Sequence, residues 1–130
     1  MWLEPTANDI ADVATQSLAK GDENSAKRAI FRFLERYDGA NTTVRDRMAH
    51  EKPASTGSSK FDALLAAVVE YACAIHRVTP PDWVNDDDTF LDHFWFVSDM
   101  ASLHANALQH SPISFARRGI FITEDALSYA

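Results

Sequence analysis

Few residues in this chain could carry chemistry, and their spacing limits what chemistry that would be. Cys73 and His76 lie three positions apart, so on a helix they share a face, and both side-chain types bind zinc. Two ligands do not complete a tetrahedral site, however, and His93, His104 and His110 form no recognised ligand spacing with them. The pair reads more simply as a small buried thiol and a histidine at the carboxyl end of a helix. Neither a metal nor any other cofactor is expected. No G-x-S-x-G pattern marks a nucleophilic serine, and Cys73 falls in the most apolar stretch of the chain, where a thiolate is disfavoured. The glycines at 21, 39, 57 and 119 are isolated, so no glycine-rich loop is available to cradle a phosphate.

Three further features involve charge and aromatic surface. Glu70 sits in an otherwise apolar segment, where burial could raise its pKa and fit it for acid–base work with a histidine. The simpler reading is a solvated helix edge, or a pair with a base from the segment around Arg28. Arg28, Arg32 and Arg36 recur every four residues with Lys27 beside them, a stripe that could touch nucleic acid. Glu35 and Asp38 dilute it, which favours a solvated face. Trp83, Phe90, Phe94, Trp95 and Phe96 form an aromatic segment interleaved with Asp86, Asp87, Asp88 and Asp92. If Phe94 to Phe96 are helical they project in three directions, so at least one should stay near the surface, where Trp and Arg are frequent interface anchors.

The elements that must position these residues read mainly as helices. Ile10, Val13, Ala14 and Leu18 recur at helical spacing after Thr6, predicting a helix over 7–20 with Gly21 as its stop. Ala26, Ile30, Phe33, Leu34 and Tyr37 repeat the pattern up to Gly39, and a short polar helix follows over 43–51. Residues 52–59, KPASTGSS, read as an exposed loop. Ser58 or Ser59 then caps a helix that carries only Asp62 and Glu70 as charges between Phe61 and Ile75, as expected of the buried centre of a domain. Thr79-Pro80-Pro81 ends it. Short helices are expected in the acidic aromatic segment, over Met100 to His110, after Ser111-Pro112 up to Gly119, and from Thr123 onward. Ile120 to Ile122 is β-prone without an obvious partner strand.

The chain has 130 residues, 46% of them hydrophobic, and a net charge of −7, proportions that suit one globular domain. Its fold class is expected to be all-α, a single-domain orthogonal bundle of five to seven helices around a central apolar helix at about 60–77, with one short extended segment near 120–122. A single cysteine, an amino terminus without a signal-peptide pattern and a longest apolar run of only Ala63 to Val69 point to a cytoplasmic protein without a membrane span. Residues 20–60 hold nine basic and six acidic groups, whereas residues 61–130 hold three basic and ten acidic. The acidic half repels a phosphate backbone and suits a basic protein partner.

From Pro81 onward, the residues Trp83, Phe90, Leu91, Asp92, Trp95, Phe96, Ser111, Pro112, Phe115, Arg117, Arg118, Gly119, Phe121 and Leu127 form a pattern. It resembles a carboxyl-terminal block of small actinobacterial proteins, some of which look like antitoxin partners of nucleotidyltransferase-like toxins. The block covers about a third of the chain. The amino-terminal helix-turn-helix that such relatives often carry has no counterpart here. The resemblance implies a protein that neutralises a partner enzyme by occlusion. The partner-binding residues expected on this reading are Trp83, Phe94, Trp95, Arg117 and Arg118, with no catalytic set.

Overall fold

The protein is described here by a computed structural model covering residues 4–98 and 100–127. Among the described residues, six α-helices run over Ala7–Ala19 (α1), Glu23–Asp38 (α2), Thr42–Ala49 (α3), Ser59–Ile75 (α4), His104–His110 (α5) and Ile113–Ala116 (α6). Two-residue strands, Trp95–Phe96 (β1) and Ile120–Phe121 (β2), form the only sheet among the described residues. The domain is therefore mostly helical, as its periodicity predicts.

Each of the first four helices begins on a side chain that satisfies an otherwise orphaned backbone donor. Thr6 accepts from the Asp9 amide at 3.1 Å while Asp9 accepts from the Thr6 amide at 2.9 Å, a closed capping box. Asp22, Asn41 and Ser58 cap α2, α3 and α4. Gly21, just past α1, has φ of 74°, the left-handed geometry that glycine adopts without a Cβ penalty.

Helix α4 is the centre. Ten of its residues are buried, on nearly every side, and α1, α2, α6 and the 3-10 turns at Asp82–Asn85 and Asp87–Thr89 all pack against it. Phe33, Leu64, Val68 and Phe115 belong to one continuous apolar cluster. Asp62, on the first turn of α4, ties back the 52–59 loop by accepting from Ser55 Oγ at 2.6 Å, Thr56 N at 2.7 Å and Thr56 Oγ1 at 2.7 Å. That loop is exposed except at the half-buried Pro53 and Ser58 and at Thr56, which Asp62 draws inside.

Two expectations are corrected. The aromatic segment is not helical at Trp95–Phe96, and Ile120–Phe121 does have a partner. The two pair in parallel, Trp95 opposite Ile120 and Phe96 opposite Phe121. Trp95 N donates to Gly119 O at 2.8 Å and Val97 N to Phe121 O at 3.0 Å. Parallel strands need a long crossover, and α5 and α6 supply it. The acidic stretch before β1 forms two short 3-10 turns, and the expected helix over 100–110 is a 3-10 turn at Ala101–Leu103 followed by α5. No helix among the described residues is long and apolar enough to cross a membrane.

Candidate protein-binding surface

The strand pair brings the aromatic segment against the turn at residues 117–119. Leu91 N donates to Arg118 O at 3.1 Å, which together with the Trp95–Gly119 bond lays residues 91–95 across the turn. Gly119 has φ of 82°, and a Cβ placed there would lie 3.6 Å from His93 O and 3.7 Å from Phe94 Cδ1. The two sequence features expected to make one surface are thus neighbours in space, although their members differ sharply in exposure.

Phe94 is the most exposed large hydrophobic residue described, at 75%. It lies beside Gly119 and meets Phe121 edge-on, with ring centroids 5.2 Å apart at 88°. Trp95, one residue on, is half-buried against Phe61 at 5.5 Å, with the ammonium groups of Lys60 and Lys27 at 5.6 and 6.0 Å from its ring. Alternation along a strand, rather than rotation about a helix, sends Phe94 and Trp95 to opposite faces. Phe96 is half-buried and stacks on His104 at 4.0 Å.

Trp83 and Arg118 do not lie on the surface, which corrects their expected placement. Trp83 is 8% exposed, and its indole Nε1 donates to Ala49 O at 3.0 Å, closing the carboxyl end of α3. Arg118 is 1% exposed. Its Nη1 donates to Glu70 Oε1 at 2.6 Å and Ser114 O at 2.7 Å, and its Nη2 donates to Val84 O. Arg117, half-exposed, grips the same carboxylate from outside, Nε to Oε1 at 3.0 Å and Nη2 to Oε2 at 2.7 Å, and also reaches Asn85 Oδ1 at 2.8 Å. The Phe90 ring lies 5.0 Å from both guanidinium carbons.

Glu70 therefore pairs with arginines from the 117–118 turn, not with a base on α2. Burial pushes its carboxyl upward, but the bonds from Arg117 and Arg118 outweigh that and leave it below the usual carboxylate range. An ionised carboxylate with both oxygens engaged cannot deliver a proton near neutrality and makes a weak base, so the arrangement argues against acid–base catalysis at Glu70. His76 is also engaged, its Nε2 lying 2.9 Å from Asp38 Oδ1. Cys73 Sγ accepts from Tyr37 Oη at 3.5 Å inside the core. Among the described residues no group of three or more His, Cys, Asp or Glu side chains could hold a metal ion.

Residue patterns alone did not single out Met100, Leu108 and Ile113, which are 61%, 55% and 74% exposed. With Phe94 they place four exposed large hydrophobic residues between positions 94 and 113. Ile113 could have been found from its spacing. It and Arg117 fall on one side of the turn of α6, while Ser114, Phe115 and Arg118 are buried on the other. Comparison of the chain with protein-family models, with curated proteins and with solved structures finds no match.

Proposed function

We propose that this chain is an intracellular protein-binding module, an antitoxin-like neutraliser that occludes a partner enzyme. In this reading Phe94 is the anchor, with Arg117 of the adjoining turn near it and the exposed acids Asp87 and Asp92 facing a basic cleft, while Trp95 on the opposite face backs the strand from within. The observation that carries the reading is Phe94, 75% exposed yet held in place by Gly119 and Phe121. Burying such a side chain is worth roughly 1.5–3 kcal/mol. Because its backbone is fixed by the strand pair, little ordering entropy opposes that gain.

The test is to co-express the chain with the product of the adjoining gene and measure the affinity of the complex by calorimetry. Phe94→Asp should weaken binding by about 2 kcal/mol or more, roughly thirtyfold, with an unchanged Tm. Ile75→Asp, at a position 54% exposed at the end of α4, should bind as wild type does. Absence of any complex, or an unchanged affinity for Phe94→Asp, would sink the proposal.

A further inference from the structure

A second surface, opposite in charge and separate from the Phe94 patch, runs along α2. Arg28, Arg32 and Arg36 lie one above another at about 6 Å intervals along the helix axis. Arg32 is exposed and makes no hydrogen bond or ion pair among the described residues, and Arg28 bonds only to Ser25 Oγ, at 2.8 Å, on its own helix. Arg36 lies 3.9 Å from Glu4. The chain as a whole carries −7, so this ridge is a local reversal of its field.

The ridge does not stand on a flat polar face. On one side is a groove of about 430 Å³ walled by Phe31, Leu34, Val97 and Leu127, with Lys27 and Arg28 on its rim and Glu35 as its one acid. On the other is a hollow of about 290 Å³ floored by Pro5, Ile10, Val13 and Ala29, with Asp9 at its edge. Arg32 lines both. A solvated charge stripe needs no apolar troughs beside it, and a nucleic-acid backbone would leave them unfilled. An amphipathic helix with an acidic stripe flanked by apolar residues fits the whole arrangement, placing carboxylates on the arginines and aliphatic side chains in the troughs.

We propose that α2 docks an acidic amphipathic helix of a protein partner, with Arg28 and Arg32 pairing its carboxylates and the Phe31–Val97 groove taking its apolar side chains. This is independent of the Phe94 reading, since neither surface shares a residue with the other. The probe is a labelled peptide of about eighteen residues, long enough to form an isolated helix, with a stripe of glutamates flanked on both sides by leucines. Binding is followed by fluorescence anisotropy. Saturable binding is expected at low salt, weakening as salt rises. Arg32→Glu should weaken it at least about tenfold. Lys20→Glu makes the same change in net charge at an exposed site off the ridge and should leave it nearly unchanged. Both variants change exposed side chains, and a thermal melt of each verifies folding. Equal loss in the two variants, or equal binding of a peptide with the leucines replaced by glutamine, would show only a bulk charge effect and overturn the proposal. So would preferential binding of a single-stranded oligonucleotide, which would make the ridge a nucleic-acid site. Self-association lost in Arg32→Glu, with no peptide binding, would assign the ridge to a second copy of the chain and reject the proposal equally.

Discussion

Arg117 and Arg118 are adjacent, chemically identical and bonded to the same carboxylate, yet they should contribute to stability very differently. Arg118 is sealed inside, where Glu70, Ser114 O and Val84 O accept from its two terminal nitrogens while its Nε is buried without a hydrogen-bond partner among the described residues. Removing it takes the Arg118 donor from Ser114 O, leaves Val84 O with Thr89 Oγ1 alone, and opens a large void. Removing one partner from a buried charge pair costs about 3–5 kcal/mol. Arg117 is partly solvated, and exposed pairs are worth about 1 kcal/mol or less. Urea denaturation should therefore place Arg118→Ala far below Arg117→Ala in stability. Equal losses would mean that the turn, not the burial of Arg118, sets the energy. The pH dependence follows from Glu70. Its folded pKa is depressed, so the stability it contributes is present above its unfolded pKa and disappears as pH falls through the folded one. Glu70→Gln should be less stable than wild type near neutrality, and the difference should shrink as the solution is acidified below the ordinary carboxylate range. A gap that stays constant down to strong acid would show that the carboxylate's charge is not what Arg117 and Arg118 respond to.

At the scale of elements, the Gly119 turn joins α6 to β2, and it is where the aromatic segment docks. At φ of 82° an L residue is strained by about 1–2 kcal/mol. The neighbours that a Cβ would meet lie at ordinary contact distances, 3.6 to 3.8 Å. Gly119→Ala should thus lower stability by about 1–2 kcal/mol, which calorimetric melting can measure, and an unchanged Tm would show that the turn relaxes freely. The same turn shows where the sequence could be read and where it could not. Helices α1, α2 and α4 were legible because each combines a capping side chain with a long apolar period, two local signals that agree, whereas the short polar α3 offered only the weaker pattern. The β1–β2 pair was not. Its strands are two residues long and some twenty-five positions apart, so only tertiary contact defines them. Reading Trp95–Phe96 as helical placed Phe94 and Trp95 by rotation when alternation governs them. The exposure of one member of the aromatic run was legible from crowding alone, since three consecutive aromatics cannot share one face. Arg118 was misplaced for a different reason. A charged side chain beside a glycine stop normally projects into solvent, and only a carboxylate 48 residues earlier on α4 makes its burial affordable.

Across the whole molecule, the core converges on α4, and Cys73 lies in it as a built-in reporter of global opening. Its thiol is 1% exposed. Burial raises its pKa above the ordinary thiol value, and the bond from Tyr37 offsets that only in part. A thiol reagent needs both access and a thiolate, and the native state restricts both. Tyr37 and Cys73 come from α2 and α4, and α1 packs on both, so separation of these helices exposes the sulfur. Labelling of Cys73 in native buffer should therefore be slower than that of a free thiol by a factor approaching the global unfolding equilibrium constant. It should accelerate with urea with the same dependence as unfolding followed by circular dichroism. A shallower dependence would locate a local opening instead. The place for it would be the carboxyl end of α4, where Ala74 and Ile75 are exposed and Arg77 sits at φ of 57°. A left-handed conformation is costly for an arginine, so a chain that frays there would gain backbone freedom while uncovering Cys73, a turn away. Arg77→Gly separates the two outcomes. Relieving the strain should slow labelling by local opening, whereas labelling governed by global unfolding should change only as far as the overall stability does.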